Sequence, residues 1–126
     1  MLTANQIEKG KQTTTYTESD PRHEHDDCVR IAYEWLDAQP KLKGHSRSAR
    51  PIKHLIERWA GRYVSTSDVE VAAHLHPEIR GRYPYFNLSS RLVEPSLERL
   101  RNIGEANKHS NYRDDHQLTD YSSREH

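Results

Sequence analysis

The sequence has no long apolar run and only one cysteine. No stretch of about 18 apolar residues occurs, so the chain is not expected to cross a membrane. Residues 1–10 lack a basic start followed by an apolar run, which argues against a secretory signal. Cys28 has no second cysteine to pair with, which excludes an intrachain disulfide and predicts a cytoplasmic, reducing location.

Apolar residues are also scarce. They make up 33% of the 126 residues, while 30% are charged, whereas globular domains average roughly 45–50% apolar when Gly is counted. The length fits one domain, but part of the chain is expected to stay outside a small core. We therefore predict a flexible N-terminal arm over 1–22, a helical domain over 23–104 and a flexible polar C-terminal tail over 105–126. Within the arm, only a short turn near residues 5–9 is expected.

Apolar residues recur with a helical period in four segments. The predicted fold is all-α, a compact bundle of about four helices over 26–39, 51–63, 67–76 and 87–103. The last helix is broken at Pro95, and an imperfect alternation leaves a short β-wing within 79–93 as the alternative. The predicted core comprises Val29, Ala32, Leu36, Ile52, Leu55, Ile56, Trp59, Val69, Ala72, Leu92, Leu97 and Leu100.

Local signals give the expected helix starts. Asp26 or Asp27 can accept hydrogen bonds from the free N–H groups of a first turn. Pro51 suits the first helical position because its missing N–H would be unpaired there. Ser67 and Glu70 have the spacing of a capping box, in which each side chain bonds the other residue's backbone N–H.

The neutral net charge conceals an uneven distribution along the chain. Residues 1–40 carry four Lys/Arg and eight Asp/Glu, and residues 102–126 carry three and five. Residues 41–101 carry twelve Lys/Arg and six Asp/Glu. A basic middle between acidic ends predicts an anionic partner, although ordinary charge scatter on solvent-facing helices would look similar.

The second and third predicted helices form a helix-turn-helix-like pair joined at Val64–Thr66. In such units the second helix enters the major groove and its first residues reach the base edges. Here Asp68 and Glu70 would face an anionic partner, which counts against base reading by this helix. The alternative is two packed helices of an ordinary bundle.

Basic residues and nearby tyrosines predict a nucleic-acid-binding surface, because phosphates are bound by mobile cations and exposed bases stack on aromatic rings. The alternatives are a solvated loop whose aromatics fold back onto the core, or a protein interface anchored by Arg and Tyr. The candidate nucleic-acid-binding residues are Lys43, Arg47, Arg50, Lys53, Arg58, Arg80, Arg82, Tyr83, Tyr85 and Arg91.

Metal and catalytic chemistry are weakly indicated. His, Glu, Asp and Cys crowd into residues 23–28, but no Cys-x-x-Cys pair exists, and His74 and His76 would point in different directions on a helix. Cys28 fits a small core residue better than a nucleophile, and no glycine-rich phosphate loop occurs. We expect no metal, no cofactor and no enzymatic activity.

The sequence thus predicts a small regulatory, non-catalytic nucleic-acid-binding protein, with DNA as the expected polymer. The alternative is a protein-interaction module, such as an inhibitor, adaptor or assembly factor, that binds a protein partner through its Arg/aromatic loop and acidic arms. Acidic arms can also fold back on the basic middle and suppress binding. A homodimer is compatible with both hypotheses.

Overall fold

A computed structural model describes residues 1–44 and 49–126. The elements in these ranges are four α-helices, three 3-10 turns and two very short strands, so the predicted mainly helical fold with about four helices is confirmed. The α-helices are α1 (Ala4–Thr13), α2 (Asp26–Asp37), α3 (Ile52–Ala60) and α4 (Thr66–Leu75). The strands β1 (Val93–Glu94) and β2 (Ser123–Arg124) pair in parallel, and the 3-10 turns are Leu97–Leu100, Ser110–Asp115 and Leu118–Asp120.

Helix α1 corrects the prediction of an unpacked N-terminal arm. Thr3 and Gln6 form a capping box in which each side chain bonds the other residue's backbone N–H. Ile7 is fully buried in the core. Gly10 passes so close to α4 that an added Cβ would lie 3.0 Å from the Leu75 side chain. The capping box and the burial of Ile7 therefore stabilise a helix in a segment that has few apolar residues.

Helices α2 and α3 lie close to their predicted positions, but their caps differ. The imidazole of His25, and not an aspartate, caps α2 by accepting from the Asp27 backbone N–H at 2.9 Å. Pro51 stands just before α3 rather than at its first helical position. Gly61 ends α3 with a φ of 62°, a left-handed conformation that glycine adopts without strain.

Helix α4 is buried almost all round. Every residue from Ser67 to Ala73 is buried, and the helix packs against α2 and α1. The predicted capping box is wrong, because Ser65 caps α4 by accepting from the Asp68 N–H at 3.1 Å. The Ser67 hydroxyl instead accepts a hydrogen bond from the Arg22 backbone N–H.

The predicted helix over 87–103 does not form, and neither does a β-wing. Leu88 makes an isolated antiparallel bridge with Lys41, Val93–Glu94 becomes strand β1, and Leu97–Leu100 is a single 3-10 turn. Side-chain hydrogen bonds of Gln39 hold this extended stretch, since its amide accepts from the Val93 N–H and donates to the Val93 carbonyl, both at 2.8 Å. These hydrogen bonds between distant residues stabilise the extended conformation. The helical period of the segment is weak and is interrupted by proline, so a helix does not form.

The C-terminal tail is packed, which corrects the prediction that it lies free of the core. The Asn107 N–H donates to the Ala60 carbonyl and the His109 N–H to the Gly61 carbonyl, so the tail satisfies the open end of α3. The Arg113 guanidinium donates to the Trp59 carbonyl. Further on, the Tyr121 hydroxyl accepts from the Trp35 indole N–H at 3.0 Å.

The core lies between α2, α3 and α4. Eleven of the twelve predicted core residues are buried, and the exception is Leu97, which is 55% exposed because it lies on the outer side of its 3-10 turn. Ile7, Trp35, Val64 and Phe86 extend the core beyond the prediction. None of the helices in residues 1–44 and 49–126 has the length and apolar character of a membrane span.

Candidate nucleic-acid interface

The start of α4 cannot act as the base-reading end of a recognition helix. Five residues separate α3 from α4. However, Ser65, Ser67 and Asp68 are buried under the segment 16–24. A helix that enters the major groove must present these positions to solvent, which excludes α4 from that role in this fold.

Polar bonds from the covering segment explain this burial. Asp68 is fully buried, and its two carboxylate oxygens contact the His23 Nδ1 at 2.7 Å and the Glu24 N–H at 2.8 Å. The Ser65 hydroxyl donates to the Arg22 carbonyl at 2.7 Å. Burial raises the pKa of Asp68, and the hydrogen bonds from Glu24 and His23 oppose that shift.

A long loop, residues 77–90, carries the exposed Arg80 and Arg82. Asn87 holds it together, because its side chain accepts from the Arg80 N–H at 2.7 Å and donates to the Glu78 and Leu42 carbonyls at 3.0 Å. The Leu42 N–H returns a bond to the Asn87 carbonyl at 2.8 Å. Residues 40–43 are thereby fixed beside the loop, far from their place in the sequence.

This arrangement places several predicted site residues on or beside the loop. Arg80 lines one cavity with Lys43 and another with Arg82. Arg50 reaches the next part of the loop, where its Nη1 donates to the Ser90 carbonyl at 3.2 Å. Arg91 is exposed directly after it. We call this set the loop surface; its members are Lys43, Arg50, Arg80, Arg82, Tyr85 and Arg91.

Carboxylates neutralise little of the loop surface. In the described ranges, Lys43, Arg80 and Arg91 make no ion pair, and Arg82 donates only to the Tyr16 carbonyl, at 3.3 Å. Glu78 is the exposed acid that shares a cavity with Lys43 and Arg80. The surface therefore keeps an excess of positive charge.

The acidic ends of the chain neutralise other cations. Arg62 is buried between Glu24, at 3.8 Å, and Glu105, at 3.0 Å. Arg99 binds Glu125 at 2.6 Å. Acidic residues from the two ends of the chain thus form ion pairs with Arg62 and Arg99 of the basic middle.

Two predicted cations stand apart from the loop surface. Lys53 pairs with the buried carboxylate of Glu57 at 3.0 Å. Arg58 is half-buried on α3, where its charge acts on Tyr121. Arg47 lies outside the described residues.

The two predicted tyrosines have different environments. Tyr83 is half-buried and packs edge-to-face on Phe86, with ring centroids 6.0 Å apart. Burial raises the pKa of Tyr83, and a hydrogen bond from the Lys53 backbone opposes that shift. Tyr85 is 47% exposed, so it is the ring that a base could reach.

A cavity of about 260 Å³ opens between α4, the loop surface and residues 14–15. Glu70, His74, Arg80, Arg82 and Tyr83 supply its polar lining. Glu70 is 5% exposed; its Oε2 accepts from the Thr17 N–H at 2.9 Å, and its Oε1 has no hydrogen-bond partner within the described part of the chain. Sequence reasoning missed this residue as a site, because its spacing resembled a capping box.

The histidines and the cysteine have structural contacts. His74 contacts the Thr13 hydroxyl and His76 contacts Asp37, so the pair does not converge. Cys28 is buried with its Sγ 3.5 Å from the Tyr63 carbonyl oxygen, and burial raises its pKa to about 12. Across residues 1–44 and 49–126, no group of three or more His, Cys, Asp or Glu is placed to hold a metal ion.

Comparison with known proteins gives no relative. No protein-family model matches the chain, and neither the curated proteins nor the solved structures contain a match.

Proposed function

We propose that this protein binds nucleic acid non-catalytically, with the phosphate backbone held on the loop surface. The observation that carries the proposal is the basic character of the loop surface, where Lys43, Arg80 and Arg91 make no ion pair within residues 1–44 and 49–126 and Arg82 lines a cavity with Arg80. Such cations release counterions from phosphates on binding, which supplies most of the affinity for nucleic acid. DNA is the first polymer to test.

Single strands fit this surface better than a duplex groove. The buried start of α4 removes the helix that a groove reader would insert. Tyr85 is exposed among the arginines, and strand-binding proteins combine a basic track with aromatic rings on which bases stack. The proposed mode is therefore phosphate contact from the arginines and base stacking on Tyr85.

The deciding experiment is a salt series with labelled single-stranded and double-stranded DNA. The variant is Arg80→Ala/Arg82→Ala. The matched control is Arg101→Ala, because Arg101 is also exposed but forms an ion pair with Glu98 at 3.3 Å. If both arginines meet phosphates of a single strand, the slope of log affinity against log salt falls by about 1.4.

The possible outcomes either support the proposal or overturn it. A shallower slope in the double variant and an unchanged slope in the Arg101 control support the proposal. No binding of either DNA at low salt, or an identical slope in all three proteins, would overturn it.

The loop surface also favours protein interaction as the second candidate function. Leu42, 44% exposed, lies beside the loop that carries Tyr85, and the Arg/Tyr composition is typical of interface hot spots. A protein partner, including a second copy of this chain, would be lost in Tyr85→Ala while DNA affinity stayed weak at every salt concentration. Sedimentation of the free protein tests the homodimer directly. The cytoplasm is the proposed compartment, since the one cysteine is a buried thiol.

A further inference from the structure

The cavity between α4 and the loop surface has the size of a small-ligand site. Its volume of about 260 Å³ is slightly below the roughly 300–1,000 Å³ of pockets that enclose drug-sized molecules. Its walls combine Tyr83 and Phe86 with polar groups from α4 and the loop. Gly81, with a φ of 95°, turns the loop so that Arg80 and Arg82 both line the cavity.

Glu70 is the chemical centre of this cavity. Its Oε2 is occupied by the Thr17 N–H, whereas its Oε1 is buried without a partner in the described ranges. A buried polar atom without a partner costs about as much free energy as a lost hydrogen bond, so such an atom requires an explanation, for example a water molecule, an ion or a ligand. Oε1 is therefore a buried acceptor without a donor among the described residues.

The other residues that line the cavity restrict which ligands can supply this donor. Arg80 and Arg82 would repel a purely cationic ligand, and Glu70 would repel a simple anion. The charges fit a molecule that carries both an N–H donor and an anionic group. The rings of Tyr83 and Phe86 in the lining favour a ligand that contains a flat ring.

We propose that this cavity binds a nucleotide whose base carries an amino group, cytosine or adenine. The amino group donates to Glu70 Oε1, and the phosphate lies at Arg80 and Arg82. Carboxylates accept hydrogen bonds from the exocyclic amine of cytosine in known base recognition. The inference rests on the proposed function, because the same two arginines serve the phosphate backbone. The base can come from a free nucleotide or from a strand.

Glu70→Gln is a specific test of this contact. The Thr17 N–H requires an acceptor, so the amide oxygen takes the position of Oε2 and the amide N–H₂ takes that of Oε1. The variant then presents a donor where the native protein presents an acceptor. We expect it to prefer uracil, whose carbonyl oxygen replaces the amino group of cytosine.

The measurement is calorimetric titration of the whole protein with CMP, AMP and UMP. The native protein should bind CMP and AMP about tenfold more tightly than UMP, since one hydrogen bond to a charged group is gained and one carbonyl repulsion avoided. Glu70→Gln should reverse the order of CMP and UMP. Glu78→Gln is the matched control: it removes a carboxylate charge close to Arg80, outside the lining of this cavity, and should leave the order unchanged.

Short oligo(dC) and oligo(dT) strands identify the source of the base. Tighter binding of oligo(dC) than of oligo(dT), with the order reversed in Glu70→Gln, places the base in a strand. Binding of CMP without binding of either strand at low salt supports the cavity as a free-nucleotide site and overturns the proposed function.

Two results overturn the inference itself. One is equal affinity of the native protein for CMP and UMP, a result that does not depend on whether any variant folds. The other is salt-dependent strand binding with no preference between oligo(dC) and oligo(dT), which would leave the proposed function intact.

Discussion

The Nδ1 atom of His23 lies 2.7 Å from Oδ1 of Asp68, a carboxylate with no exposed surface. The other ring nitrogen, Nε2, lies 3.2 Å from the Tyr16 hydroxyl, and that hydroxyl donates to the Lys11 carbonyl at 2.7 Å. A continuous hydrogen-bonded path therefore joins the end of α1 to the start of α4. This path helps to hold the polar segment 16–24 over the helix.

Replacing Asp68 by Ala should destabilise the protein by about 3 kcal/mol, because the hydrogen bonds from His23 and the Glu24 N–H are lost together. Urea unfolding followed by tryptophan fluorescence measures the change. Asp114→Ala is the control, since that aspartate is exposed and should change stability by less than about 0.5 kcal/mol. Equal midpoints for the two variants would show that the path from His23 to Asp68 is not stabilising.

Arg99 should make the stability of the protein depend on pH in the acid range. Its guanidinium binds Glu34, Asp37 and Glu125. Hydrogen bonds from Arg99 lower the pKa of Glu125, and although burial raises the pKa of Asp37, the bonds from His76 and Arg99 leave it below its usual value. Carboxyls with a lowered pKa stabilise the fold above their unfolded values, about 3.9–4.3, and this contribution is lost as pH falls through the folded pKa.

We therefore expect Arg99→Met to cost about 2 kcal/mol at pH 7. The difference in the free energy of unfolding between the native protein and the variant should shrink as the pH is lowered below about 4, because the carboxyls of Asp37 and Glu125 become neutral. Urea midpoints at several pH values measure this. Arg101→Met, which removes an exposed ion pair with Glu98, should change the stability very little at every pH. A gap that stayed constant with pH would contradict the electrostatic role of Arg99.

Tyr121→Phe should destabilise the protein by about 1–2 kcal/mol, because the buried Trp35 indole N–H would lose its acceptor. Burial raises the pKa of Tyr121 to about 12. The folded state therefore resists ionisation, and stability should fall as pH rises above the unfolded value of about 10.

This alkaline loss should be less steep in Tyr121→Phe than in the native protein. Thermal unfolding at neutral and alkaline pH measures both effects. Tyr85→Phe, at an exposed tyrosine, provides the comparison. An unchanged melting temperature in Tyr121→Phe would mean that the tail does not contribute to the core through this bond.

The thiol of Cys28 should be unreactive in the native protein. It is fully buried, and its pKa of about 12 leaves almost no thiolate at neutral pH. We expect reaction with a disulfide reagent to be orders of magnitude slower in native buffer than in urea. Fast labelling of the folded protein would contradict the burial of this side chain.

Helices α2, α3 and α4 were predictable because each buries apolar residues at helical spacing. Val29, Leu55 and Val69 all lie in the core as the period requires. The signal for α1 was also in the chain, since Thr3 and Gln6 have capping-box spacing before Ile7. A single buried apolar residue gives only a weak helical pattern, however. The helix can pack only because the folded chain brings Gly10 close to Leu75 of α4.

Only part of the loop surface could be predicted from the sequence. Arg80, Arg82 and Tyr85 are close in sequence, so their clustering required no tertiary information. Their association with Lys43 depends on the Asn87 side chain, which bonds residue 42 across a long stretch of chain, and on backbone bonds between the same two segments. No local pattern marks an asparagine for that role.

The sequence by itself determined the helical class, the faces of three helices and the concentration of positive charge in the middle of the chain. Those features follow from side-chain spacing, which a sequence displays directly. The tertiary structure decided which polar residues are buried: Asp68 and Glu70 look like solvent-facing acids of a helix start, yet backbone donors from residues 24 and 17 enclose them. Burial of a charged group depends on distant hydrogen-bond partners, and only the folded chain brings those partners within reach.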